Sequence, residues 1–311
     1  MSNPLWLNYH DAVLYESDVA ILQSPKSWLN DSCIHYQMMR YQHDLYKDDG
    51  IRFIFMDPSV ISFFMHQCTG DEELLEFYRG QGILGRKLQE SGNTNFNEYS
   101  IQQALFLPIN DTNAVSGVMH GRSSAVGTHW SLLLVVLLID DENNELQPMY
   151  LHFDPVKNSD NYQAAVAVAK KFHHLLSLAA KSDEELNITD IGKMIVRTCK
   201  APQQSNGYDC GIYTLATTNI LANTVKNLME PDGSDHTRGV DPILKSKSTG
   251  YGSRTKTMVD QFAHALEDSL QSSKMLTCKK SFASEMRAEM LNSIFAAVEA
   301  TDAAKLEMLK R

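Results

Sequence analysis

The segment Ala201-Pro-Gln-Gln-Ser-Asn-Gly-Tyr-Asp-Cys210-Gly-Ile brings a thiol to the point where a polar loop meets an apolar helix, marked by Ile212, Ala216 and Ile220. That junction suits nucleophilic chemistry. A free thiol with a pKa near ~8.5 is only a few per cent thiolate at neutral pH, and the unpaired amides and dipole of a helix N-terminus favour the anion. Gly211, which has no Cβ, leaves room for a substrate carbonyl to come close. The competing reading is an inert cysteine buried at a helix start.

A thiolate needs a proton acceptor. His129 opens a long strand in Gly127-Thr-His-Trp-Ser-Leu, and Asp154 ends the following strand in Leu151-His-Phe-Asp-Pro. Adjacent strand ends can bring the carboxylate to the ring nitrogen facing away from sulfur, which fixes tautomer and orientation as in a catalytic triad. His152 is a rival base, two residues from Asp154 on the same strand. Each also has a structural alternative, since a histidine can cap a strand and Asp before Pro155 is an ordinary turn residue. Gln204 and Gln203 both lie on the loop that leads to Cys210, and an amide N–H from either could join the Cys210 backbone N–H at an oxyanion.

These groups need elements to hold them. Asn30 or Asp31 can cap a helix carrying Ile34, Met38, Tyr41 and Leu45 on one face. Strands are expected at Ala104–Ile109, Trp130–Ile139, Met149–Phe153 and Met194–Thr198, with a helix through Val168, Phe172, Leu175 and Ala179 between the last two. Asp111 to Gly127, rich in Gly, Ser and Asn, reads as a mobile loop. The expected organisation is a catalytic domain to residue 229, a linker or long surface loop at 230–257, and a helical tail at 258–311, where Phe282, Met286, Met290, Ile294 and Val298 form one apolar stripe.

Bulk properties narrow the function classes. Hydrophobic residues make up 43% and charged residues 21% of the 311, a globular balance. The formal charge of −10 opposes counterion-release binding, so nucleic acid is not an expected partner. No stretch approaches the length of a membrane span. The cysteines Cys33, Cys68, Cys199, Cys210 and Cys278 are odd in number and widely spaced, so neither a disulfide framework, a zinc site nor any other cofactor is expected. Free thiols suit a reducing cytosol or nucleus.

Taken together, Trp28-Leu-Asn-Asp31, Thr128-His-Trp-Ser-Leu132, His152-Phe-Asp-Pro155 and Gln203-Gln-Ser-Asn-Gly-Tyr-Asp-Cys-Gly211 resemble the ubiquitin-like-specific, or sentrin-specific, cysteine proteases. The resemblance covers about Tyr9 to Thr224. It implies an α+β fold of the papain-like type, a mixed sheet with flanking helices, and a catalytic order His129, Asp154, Cys210 with Gln204 as the oxyanion glutamine. It further implies that Trp28, Asp31 and Trp130 line the tunnel admitting a modifier's Gly-Gly tail. Leu107-Pro-Ile-Asn-Asp111, Gly127-Thr-His-Trp and Ser17-Asp-Val-Ala-Ile-Leu22 make the chain look most like the deneddylases, whose partner is the neddylation modifier. The alternatives are a desumoylase with the same machinery and a binding module that recognises a modifier without cutting it.

Overall fold

A strand with Leu and Val at both odd and even positions must bury both of its faces, because successive side chains point to opposite sides of a sheet. The run from Trp130 to Asp140 is such a strand, and all but one of its 11 residues are buried. The computed structural model describes residues 3–49, 52–85, 99–113, 128–140, 144–157, 159–183, 186, 188–229, 251–273 and 281–309, with the backbone alone at 99, 251–257 and 303–309.

The chain opens with a hairpin of β1 (Leu5–Tyr9) and β2 (Ala12–Tyr15), followed by α1 (Glu16–Gln23) and α2 (Asp31–Arg40). Next come β3 (Phe53–Phe55), α3 (Pro58–His66), α4 (Asp71–Gly80) and the long strands β4 (Tyr99–Asn110), β5 (Trp130–Asp140) and β6 (Glu145–Phe153). Then follow α5 (Asn161–Ser182), β7 (Asp190–Ile191), β8 (Val196–Cys199), α6 (Cys210–Met229), α7 (Tyr251–Ser272) and α8 (Phe282–Leu309).

The sheet runs β3-β4-β5-β6, and both β7 and β8 pair with β6. β4, β5 and β6 are antiparallel, while β3 on β4 and β7 and β8 on β6 are parallel, so the sheet is mixed. Leu132, Leu134, Val136 and Leu138 face one core, with side chains of α2, α6, α7 and α8. Leu133, Val135 and Leu137 face the other, with α3, α4 and α5. This is the expected α+β architecture with helices on both faces.

Two expected strands prove longer. β4 starts at Tyr99 rather than Ala104 because its polar residues are bonded inside the fold: Gln103 accepts from the Leu84 N–H at 3.0 Å, and Gln102 donates to Ser100 at 2.5 Å. β6 starts at Glu145 rather than Met149. The loop expected at Asp111–Gly127 lies outside the described residues from 114 onward. Its two ends are joined, since Asp111 accepts from the Thr128 N–H at 2.8 Å and the Thr128 hydroxyl at 2.5 Å.

The expected linker at 230–257 lies outside the described residues as far as 250, and its last seven residues belong to α7, which begins at Tyr251. Phe262, Leu266 and Leu270 of α7 and Phe282, Met286, Met290 and Ile294 of α8 are buried in the same core as α6. Tyr213 meets Phe282 edge-on at 5.7 Å, and Thr224 bonds Ser269 at 2.5 Å.

Candidate active site

Antiparallel pairing of β5 and β6, with Leu132 opposite Phe153, sets the start of one strand beside the end of the other. His129 and Asp154 are the residues just outside those ends, and His129 Nε2 lies 2.7 Å from Asp154 Oδ1. Because Nε2 is engaged by the carboxylate, Nδ1 is left without that partner, and the Cys210 side chain is close enough to the ring to raise its pKa. Cys210 is the first residue of α6, and the Asp209 carbonyl accepts the N–H of Tyr213 at 3.0 Å to begin the helix. The three residues expected to act together are therefore linked in the order Asp154, His129, Cys210.

The electrostatics of this trio follow from its partners. Burial by itself would lower the His129 pKa, but hydrogen bonds with Asp154 and Cys210, and the charges of both, outweigh it and raise the value to about 9. The Asp154 carboxyl moves the other way. Burial would raise it, yet the bonds from His129, Ser159 and the Val156 N–H hold it below the ordinary carboxylate range. Asp154 thus stays ionised and grips a ring that holds its proton. His152, the rival base, sits beneath this trio fully buried, with Nε2 2.9 Å from Ser131 Oγ. Burial lowers its pKa to about 4, so it is a neutral packing residue.

The loop before Cys210 is organised by a residue not singled out from sequence, Asn206. Its Oδ1 accepts from the N–H groups of Tyr208 and Asp209 at 3.1 and 3.0 Å, its Nδ2 donates to Asp209 Oδ2 at 2.7 Å, and its carbonyl takes the Gln204 amide at 2.6 Å. The Asn-Gly dipeptide was the available signal, since Asn side chains bond their own backbone in turns. The two glutamines differ. Gln203 is exposed and spends its amide on the carbonyls of Asp154 and Ala201, at 3.0 and 2.8 Å. Gln204 is partly buried and donates to Asn206 alone among the described residues, which leaves one N–H to give. It also lines an open pocket of about 450 Å³ between Pro155–Lys157 and Gln203–Asn206.

Two further residues went unread, Ser159 and Asn161. Ser159 donates to Asp154 Oδ2, and Asn161 donates to Ser131 Oγ at 2.9 Å and to the Ile109 carbonyl at 3.2 Å, bracing the ends of β4 and β5. Nothing in their sequence context separates them from ordinary helix-start residues.

Trp28 is 46% exposed and its indole N–H donates to the Gly207 carbonyl at 2.6 Å, so it stands on the surface over the Cys210 loop rather than in the core. Trp130 is buried and donates to the Leu29 carbonyl at 2.9 Å. Asp31 is exposed at the first turn of α2, with its pKa raised by partial desolvation and then by the Asp57 carboxylate. Gly211 has a different use from the one expected. A Cβ there would meet Leu29 Cβ at 3.0 Å and Ile34 Cδ1 at 3.2 Å, so the missing side chain lets α6 pack against the Trp28–Asp31 segment.

A family model described as the Ulp1 protease family, C-terminal catalytic domain, matches residues 27–232. The chain belongs to the Ulp1 protease family. This Ulp1-family protease is 26% identical to "Probable sentrin-specific protease 8" of Dictyostelium discoideum over 80% of the chain and 88% of that relative. It is 28% identical to "Sentrin-specific protease 8" of Mus musculus, over 72% and 80%. It is also 28% identical to "NEDD8-specific protease 1" of Arabidopsis thaliana, over 69% and 74%. Membership makes it a cysteine protease, and the matched region spans every residue of the trio described above.

Proposed function

We propose that the chain is a deneddylase, a thiol protease that hydrolyses the bond after the C-terminal Gly-Gly tail of the neddylation modifier. The observation that carries the chemistry is the His129 imidazole bonded to Asp154, with its pKa raised also by the Cys210 side chain at a helix N-terminus. Support for the substrate comes from the relatives named for NEDD8 and for sentrin-specific protease 8.

In this reading the Cys210 thiolate attacks the carbonyl carbon of the modifier's terminal glycine. Negative charge moves to the carbonyl oxygen, which accepts from the Cys210 N–H and the free N–H of Gln204. As the tetrahedral intermediate collapses, the C–N bond breaks and the His129 imidazolium gives its proton to the leaving amine. Water then attacks the thioester with neutral His129 as base, releasing the modifier's carboxylate and regenerating the pair. The amine is a lysine side chain in an isopeptide or a backbone nitrogen in a precursor.

Access favours a slender substrate. Cys210 is only 2% exposed, so a chain that reaches its sulfur must carry little side-chain bulk, and in this reading it passes Trp28 and Trp130. Glycines meet that requirement, and Asp31 is available for backbone N–H groups of an extended tail. The free thiols of Cys33, Cys68, Cys199 and Cys210 suit a reducing compartment, the cytosol or nucleus.

The test is a panel of modifiers carrying a C-terminal electrophile. The neddylation modifier should label Cys210 fastest, and Cys210→Ala should abolish labelling while binding stays near wild type. The resemblance implies an arginine near ubiquitin's tail where the neddylation modifier has alanine. A guanidinium drawn into the tunnel is costly to desolvate where Asp31 does not pair with it, so discrimination of roughly a hundred-fold is expected, and arginine to alanine in ubiquitin should recover much of it. Faster labelling by a sumoylation modifier would make the enzyme a desumoylase. No labelling by any modifier would leave a binding module.

A further inference from the structure

Two ionisable side chains of the C-terminal helices are withdrawn from solvent, Glu267 of α7 at 4% exposure and Arg287 of α8 at 3%. Buried charges are costly unless paired and hydrogen-bonded, so their partners show where that cost is directed. Arg287 Nη2 lies 3.2 Å from Asp209 Oδ1 and donates to the Ser27 carbonyl at 2.6 Å, while Nη1 donates to the Ile21 carbonyl at 3.3 Å. Asp209 is the residue before Cys210, and Ser27 is the residue before Trp28. Glu267 Oε1 accepts the Lys200 N–H at 3.0 Å and lies 3.6 Å from Arg197 Nη2. Lys200 follows β8 at the start of the same loop.

The segment from Lys200 to Asp209 is therefore held at both ends by charges supplied from α7 and α8. Gln204 lies within it and Cys210 follows it. Both helices fall outside residues 27–232, the part that matches the family model. Anchoring the tail does not require these charges, because nine large apolar side chains among the described residues already bury α7 and α8. The grip on Asp209 is also relayed inward, since its second oxygen takes Nδ2 of Asn206, whose carbonyl holds the Gln204 amide.

We propose that Arg287, seconded by Glu267, is a positioning residue that sets the Cys210 N–H and the Gln204 amide at the oxyanion site from outside the family's matched catalytic region. The proposal rests on Cys210 as nucleophile and Gln204 as oxyanion donor. The full chain is assayed on a modifier with a C-terminal fluorogenic amide, and each variant is measured below its own melting temperature. Cys210→Ala tests the underlying reading separately, because retained turnover there removes the nucleophile whatever Arg287 does.

Arg287→Met should lower kcat by roughly a hundred-fold with KM within about three-fold, the size of effect that a small misplacement of catalytic groups produces. Arg287→Lys, which keeps the charge and loses the fork, should recover part of the loss. The comparison is Leu176→Ala in α5, on the opposite face of the sheet, which should melt earlier and keep its kcat. Folded Arg287→Met with wild-type kcat would overturn the proposal, as would an equal fall in Leu176→Ala. If Arg287→Met does not fold, Arg287→Lys decides: a kcat deficit at unchanged KM supports positioning, and wild-type kcat overturns it.

Discussion

At the scale of single residues, the raised pKa of His129 ties both stability and rate to pH. The folded value of about 9 lies above the ordinary 6.5. The stability that the charged ring contributes is fully present below pH 6.5 and is lost as pH rises through about 9. In the proposed mechanism the imidazolium protonates the leaving amine, so kcat/KM should show an alkaline limb near pH 9. Asp154→Asn removes the largest charge holding that proton, so the limb should move toward 6.5 while activity falls. A limb that stays in place in the variant's pH–rate profile would contradict the arrangement. The glutamines give a second prediction. Gln204→Ala should lower kcat by roughly a hundred-fold or more, the usual cost of an oxyanion donor, while Gln203→Ala stays within a few-fold of wild type in steady-state kinetics. Sequence physics could not rank these two, because what separates them is which carbonyls their amides already serve.

At the scale of elements, the close contact of α6 with the segment before α2 explains Gly211 and predicts its substitution. Gly211→Ala puts a methyl 3.0 Å from Leu29 Cβ, so the Trp28–Asp31 segment must shift. Overpacking of this kind costs about 1–3 kcal/mol, and here the displaced segment carries Trp28, so a lower melting temperature should come with a raised KM. Thermal unfolding and steady-state kinetics read the two effects together, and a Gly211→Ala variant with wild-type melting temperature and KM would contradict this packing. The helices α2, α5 and α6 and the cores of β4, β5 and β6 were legible because their apolar residues recur at helical spacing or in unbroken runs. The hairpin of β1 and β2 was not read. Its outward residues include Leu5 and Trp6, which blur the alternation that marks a half-buried strand. The helices α3 and α4 were also missed. Asp57 before Pro58 is a cap signal, and Asp57 does accept the Ser59 N–H at 2.8 Å, but the apolar run Val60–Met65 is as compatible with a strand.

At the scale of the whole molecule, the C-terminal helices are part of the main core. Burying a large apolar side chain contributes about 1.5–3 kcal/mol, and nine among the described residues of α7 and α8 together exceed roughly 10 kcal/mol, comparable with the whole stability of a domain, about 5–15 kcal/mol. A chain ending at Met229 should therefore fail to reach a stable fold, giving a broad or absent unfolding transition by circular dichroism and no turnover. A sharp transition in that truncation would show that α7 and α8 are dispensable. The apolar stripe of α8 announced that the helix packs on something, but amphipathic spacing names no partner. Arg287 illustrates this limit: in sequence it is one more basic residue on a helix, and only the chain's long-range closure brings it to Asp209.

The bond between Asp111 and Thr128 carries a consequence for how this enzyme can vary. The chain leaves β4 and returns to β5 through a gate closed by one carboxylate, and His129 is the next residue after that gate. Strain arising in the intervening stretch meets the clasp before it meets the imidazole. Lengthening a loop is itself cheap, about 0.6 kcal/mol for each doubling. The clasp thus ties the position of His129 to a single carboxylate rather than to the length of chain that joins Asp111 to Thr128.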